Sequence, residues 1–196
     1  MDRLLNAGKD MVSPVCLPEI GDPKRWYVMR DLKRANAKLP AYKLLGNLNM
    51  EVFTPMRWRL IVRQGKHIRE EVPFMQDLLF VCETRKRLDP YVETIPTLQY
   101  RFQRGGGYGN PMVVPDADMA RFIHAVSGTK TCRYFLPNEL TRAMYGRKIR
   151  IIGGYLDGYE GHLLSLRGSR TKRLLVELPS WLVAAVEVQP EYVQLL

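Results

Sequence analysis

Long apolar runs are missing from this chain. The longest, Trp181 to Val186, is far short of the ~20 residues that span a bilayer. Met1 to Gly21 has no apolar core of the kind a secretory signal carries. Cysteine is scarce: Cys16, Cys82 and Cys132 are far apart and never form a C-x-x-C pair, which argues against a disulfide framework or a zinc ribbon. Histidine is equally sparse. His67, His124 and His162 fall in three different predicted elements without ligand spacing, so no metal site is expected. G-x-S-x-G, H-E-x-x-H and P-loop patterns are absent. Asp116 and Asp118, two apart on a predicted helix, face different sides and form no acid–base pair. These absences lead to the expectation of a soluble, cytoplasmic protein that is not an enzyme and uses no cofactor, metal or membrane.

What is present is a chain of 196 residues, 46% hydrophobic and 26% charged, a composition that folds into one medium or two small domains. Its net charge of +10 is unevenly spread. Residues 25–73 hold eleven basic and four acidic side chains, whereas residues 1–24 hold three basic and four acidic. A positive field concentrated in one segment suits a polyanion, with nucleic acid the first candidate.

Residues 1–24, rich in proline and glycine, are expected to be a flexible leader. A β-favouring run opens at Arg25 to Met29, and Ala35, Leu39, Tyr42 and Leu45 then recur at helical spacing. Strands are predicted over 51–54, 57–63 and 67–73, with a hairpin turn at Gln64-Gly65-Lys66. The unbroken apolar run from Leu78 to Cys82 reads as a central strand covered on both faces. Asp89-Pro90 predicts a short helix with aspartate as its cap, and Leu98 to Phe102 a further strand. The glycine-rich stretch 105–109 reads as a mobile loop rather than a phosphate cradle, because Asn110-Pro111 and a strand intervene before the next helix. Asp116 caps that helix, whose buried stripe is Met119, Phe122, Ile123 and Val126.

Periodicity lapses over 138–146, which reads as a linker between independently folding domains. Five short β segments follow, at 148–152, 161–166, 172–178, 182–188 and 192–195, the pattern of a small β-barrel. The fold class is therefore α+β: a first domain over 25–137 and a barrel over 147–196.

Arg57, Arg59 and Arg63 occupy alternate positions of one predicted strand and share a face, a strip suited to phosphate contacts. Lys66 and Arg69 lie on the partner arm of the hairpin. Trp58 points the other way and is expected in the core. Lys33, Arg34 and Lys38 form a second basic group at the start of the first helix, where they oppose the helix dipole.

Two motifs resemble the NusG family of transcription elongation factors. Trp26-Tyr27-Val28, a helix, Glu51-Val52-Phe53-Thr54-Pro55, then Val72-Pro73 leading into Leu79-Phe80-Val81 is similar to the family's N-terminal NGN domain. The segment from Gly153 to Leu163, with Gly158, Tyr159 and Gly161, resembles its KOW motif. Both motifs in this order are closest to the UpxY-like branch, antiterminators of surface-polysaccharide operons. The resemblance implies an antiparallel sheet with helices followed by a five-stranded barrel. It also implies RNA polymerase, through its clamp helices, as partner at an apolar pocket of Tyr27, Phe74, Met75 and Leu78. DNA or nascent RNA would lie along the basic face, and a ribosomal or termination-factor partner would bind the barrel. Where the family has Phe-Pro-Gly-Tyr, this chain has Met75-Gln76-Asp77-Leu78. The other reading is a ribosome- or RNA-associated KOW protein without polymerase contact.

Overall fold

A computed structural model describes residues 22–34, 37–103, 109–129, 131–166 and 168–196. The expected leader lies almost wholly outside the described residues, as do Ala35 and most of the glycine-rich loop. Among the described residues, no helix is long and apolar enough to cross a membrane.

The first strand, β1 (Arg25–Asp31), runs through the middle of an antiparallel sheet. Helix α1 (Ala41–Asn47) and strand β2 (Glu51–Phe53) follow, then a long hairpin of β3 (Met56–Arg63) and β4 (Lys66–Pro73). Strand β5 (Leu79–Glu83), helix α2 (Arg85–Thr94), strands β6 (Leu98–Tyr100) and β7 (Val113–Val114) and helix α3 (Asp116–Ser127) complete this part. The sheet order is β2-β5-β1-β6, with β7 also paired to β1, while among the described residues β3 and β4 pair only with each other. Strand alternation divides the core. Trp26, Val28, Leu78 and Phe80 face α3, whereas Tyr27, Met29, Leu79 and Val81 face α1 and α2.

The remaining chain forms a second antiparallel sheet. Its strands are β8 (Arg133–Phe135), β9 (Tyr145–Ile151), β10 (Glu160–Leu164), β11 (Arg173–Leu178), β12 (Leu182–Glu187) and β13 (Val193–Leu195). They are ordered β13-β9-β10-β11-β12-β8. The fold is thus mixed α/β, with three α-helices and antiparallel sheets among the described residues. A sixth strand joins the five expected, because Arg133 to Phe135 satisfy their backbone groups along β12 at Val183, Ala184 and Ala185. Over 138–146 the chain makes two short 3-10 turns before entering β9, and Leu140 is buried beside Leu164 and Val183. Side chains from both sheets meet in one apolar cluster, where Phe80 and Phe122 join Leu174, Val176 and Leu182.

Several local expectations are corrected. Helix α2 begins at Arg85, not Asp89, because the Thr84 hydroxyl accepts from the Arg87 N–H (3.3 Å) and caps the helix earlier. Pro90 therefore lies inside α2; the carbonyl it leaves unbonded belongs to solvent-facing Lys86. Helix α1 starts only at Ala41, with Pro40 as its N-cap, so Lys33, Arg34 and Lys38 lie in the preceding loop, where the Lys33 ammonium donates to the Leu39 carbonyl (3.0 Å). Asp116 is the first residue of α3 rather than its cap, which is Pro115.

Glu83 is the main buried charge and ties α2 to the sheet. It is 2% exposed. Its carboxylate accepts from the Thr84 N–H (3.0 Å) and from Arg87 Nη1 (2.6 Å), and Lys24 Nζ lies 3.6 Å away. Burial pushes its pKa up, but the Thr84 N–H, Lys24 and Arg87 together hold it below the ordinary carboxylate value. A depressed folded-state pKa contributes stability above the unfolded value, roughly pH 4.3, that is lost as pH falls through the folded value. Glu83→Gln is expected to cost about 1–2 kcal/mol at neutral pH. It should also flatten the acid limb of a stability-versus-pH curve; an unchanged limb would show that other carboxylates control acid unfolding.

Candidate nucleic-acid interface

The β3–β4 hairpin turns at Gln64 (φ 50°) and Gly65 (φ 73°), the left-handed pair that matches strand twist in a two-residue turn. Eight residue pairs in register follow, and residues directly opposite share a face. Arg57, Arg59, Ile61 and Arg63 therefore lie with Val72, Glu70, Ile68 and Lys66. The other face carries Trp58, Leu60 and Val62 with Glu71, Arg69 and His67.

The first face is one wall of a cleft of about 580 Å³. The opposite wall comes from the loop after β1 and from α1, through Lys33, Arg34, Tyr42 and Lys43; Phe74, Leu78 and Leu79 supply apolar lining. The Gln76 side-chain amide donates to the Lys33 carbonyl and holds the loop to the β4–β5 connection. Six cations line this cleft against Asp31, Glu70 and Glu71. Asp31 is already engaged, accepting from the N–H groups of Ala41 (2.6 Å) and Lys33 (3.0 Å). Glu70 lies 3.6 Å from Arg63. Thr54 also lines the cleft, and its buried hydroxyl has no hydrogen-bond partner among the described residues. A polyanion entering here meets excess positive charge and a spare hydroxyl.

The fold thus brings two basic groups together across one cleft: Lys33 and Arg34 on one side, and Arg57, Arg59 and Arg63 on the other. Lys38 is exposed on the same loop but does not line the cleft, and Lys66 sits at the hairpin turn. Arg69 is separated from the strip. It stacks over Trp58, its Cζ 4.6 Å from the ring centroid on the opposite face. Trp58 is 51% exposed rather than core: it stands at the hairpin base beside an open cleft, and among the described residues β3 and β4 pair only with each other.

The apolar residues are split as well. Phe74, Met75 and Leu78 lie together at the β4–β5 connection, facing Tyr134, Leu136 and Trp181. Tyr27 does not join them: alternation along β1 sends it to the other side of the sheet, 3% exposed and edge-on to Tyr100. In the β9–β10 turn, Gly158 has φ 78° and donates to the Ile151 carbonyl (2.9 Å). The Tyr159 hydroxyl donates to the Arg121 carbonyl on α3 (2.9 Å), and His124 of α3 stacks on Tyr155, centroids 4.2 Å apart. Gly161 sits against β11, where a Cβ would fall 2.6 Å from the Leu175 carbonyl oxygen.

Sequence reasoning missed Tyr42 and Lys43 in the cleft wall, and also Arg133 and Arg173, which flank Trp58 in space from distant strands. No pattern in the sequence pairs those arginines with the hairpin. Burial pushes the Cys132 thiol up to about 12, which favours its neutral form. Among the described residues, no group of three or more histidine, cysteine or acidic side chains could hold a metal ion.

Fold and cleft define a mixed α/β chain with a cationic groove beside a second antiparallel sheet. Neither a family model nor a curated protein matches it. Among solved structures, one titled for the domain interaction in Thermotoga maritima NusG aligns with 87% of this chain and 96% of that one. The identity is 14% and the TM-score 0.44.

Proposed function

We propose that this chain is a NusG-type transcription elongation or antitermination factor that acts in the cytoplasm on RNA polymerase and regulates a polysaccharide operon. The observation that carries the reading is the placement of its motifs. Trp26-Tyr27-Val28 and Glu51-Val52-Phe53 lie on β1 and β2, which flank β5 on either side, beside the six-cation cleft. Residues 153–161 form the tight glycine turn into β10. In this reading Phe74, Met75 and Leu78 receive the polymerase clamp helices. The cleft holds DNA or nascent RNA through Lys33, Arg34, Arg57, Arg59 and Arg63. Residues 147–196 form the KOW barrel that recruits a ribosomal or termination-factor partner. Engaging the apolar patch requires Tyr134, Leu136 and Trp181 to give way, since they face it here.

The test is capture of purified core RNA polymerase on the immobilised full chain. The wild type should retain polymerase. Met75→Ala should weaken retention by about 30- to 1000-fold, the loss of one hot-spot side chain worth about 2–4 kcal/mol, with little change in melting temperature. If wild type retains none and ribosomes are captured instead, the RNA-associated reading replaces this one.

A further inference from the structure

A second cleft, of about 590 Å³, lies on the other side of the hairpin base, where β3 and β4 approach β8 and β11. Four arginines line it: Arg57 and Arg69 from the hairpin, and Arg133 and Arg173 from the second sheet. Among the described residues no carboxylate does. Two acidic side chains border it: Glu71, cross-strand from Trp58 and acting on the Tyr134 hydroxyl, and Glu187, which accepts from the Thr131 hydroxyl (3.1 Å). None of the four guanidinium groups is in an ion pair among the described residues, and the buried Arg173 Nε has no hydrogen-bond partner there. The exposed Trp58 ring stands at the same cleft with Phe135. Arg57 and Phe74 line both clefts, so the two form one continuous track around the hairpin base.

We propose that this second cleft binds a single-stranded segment of nucleic acid, with a base stacked on the face of Trp58 that Arg69 does not cover and phosphates paired with Arg133 and Arg173. The proposal rests on the reading above that the chain works on nucleic acid, and adds a site made jointly by the two halves. Four arginines against the two bordering carboxylates leave an excess of positive charge, which selects a polyanion. An exposed indole among them selects one whose bases are unstacked, because stacking needs an accessible ring face and tolerates any base. A duplex presents phosphates but keeps its bases stacked inside, so it offers Trp58 no base to stack on. An acidic peptide would satisfy the arginines but leave Trp58 unused.

Fluorescence anisotropy on the full chain tests this, with labelled oligo(dT) of about 15 nucleotides, a duplex of equal length, and oligoglutamate as competitor, from about 50 to 200 mM salt. Single strand should bind more tightly than duplex, and oligoglutamate should compete poorly. Arg133→Gln with Arg173→Gln should flatten the salt slope by about 1.4, two contacts at about 0.7 each for a single strand. Trp58→Ala should weaken binding by about 5- to 150-fold, one stacked base, without changing the slope. Trp58→Phe should restore most of the loss. Arg59→Gln with Arg63→Gln measures the first cleft separately. Wild-type affinity in the Arg133/Arg173 variant, no single-strand binding by wild type, or equal duplex binding with Trp58→Ala neutral would each overturn the proposal. Polymerase capture by the same variants separates this failure from failure of the elongation-factor reading, because neither Arg133 nor Arg173 belongs to the apolar patch.

Discussion

Phe122→Ala is expected to destabilise the protein by about 3–5 kcal/mol, as a fully buried aromatic truncated in a packed core. Phe122 is on α3, and its ring meets Phe53 edge-on at 6.0 Å and Tyr134 at 6.5 Å. Phe53 belongs to the first sheet and Tyr134 to the second, so the truncation opens space between them. At about 2–4 °C per kcal/mol for a chain of this size, the melting temperature should fall by about 6–20 °C. Calorimetry should show one transition that moves as a whole. Two transitions with only one displaced would instead support separate folding of the halves, the division expected at 138–146.

Gly161→Ala is the second large effect. The added methyl would lie 2.6 Å from the Leu175 backbone oxygen and 3.0 Å from Leu174 Cδ1. A side chain can rotate away, but a backbone carbonyl in a paired strand cannot, so β10 and β11 must separate at a cost of about 1–3 kcal/mol or more. Gly158→Ala is the comparison: nothing lies within 4 Å of its Cβ position, and only the left-handed backbone (φ 78°) is penalised, at about 1–2 kcal/mol. Denaturant midpoints should rank the variants wild type, Gly158→Ala, Gly161→Ala. The reverse order would show that the β10–β11 contact is loose.

Much of this architecture was legible because local chemistry and tertiary position agree. Alternation in Trp26 to Met29 matches a strand covered on both sides, and Gln64-Gly65 fits the only turn a two-residue hairpin favours. The misreadings have specific causes. Pro90 looked like a first-turn proline because Thr84, a weaker signal, was the actual cap. Alternation puts Trp58 on the face away from Arg57 and Arg59 as expected, but among the described residues that face borders an open cleft rather than a packed layer. Tyr27 was grouped with Phe74 by family likeness, yet a one-residue offset along β1 puts a sheet between them. The joining of Lys33 and Arg34 to the arginine strip, and of Arg133 to Trp58, depends on contacts between segments far apart in sequence.

The hairpin's isolation bears on self-association. Among the described residues, strands β3 and β4 pair only with each other, so each leaves one edge of backbone donors and acceptors without a strand partner there, and Leu60 and Val62 are 65% and 62% exposed beside it. Such an edge ordinarily recruits a second copy. Antiparallel pairing of two β3 edges centred on Leu60 would set Arg57 of each copy opposite Arg63 of the other, and a shift that brings Arg59 opposite Arg59 is no better. Like charges set opposite each other in this way would oppose pairing of two hairpin edges. Replacing the arginines with neutral, β-favouring residues is expected to raise aggregation, read as light scattering against wild type.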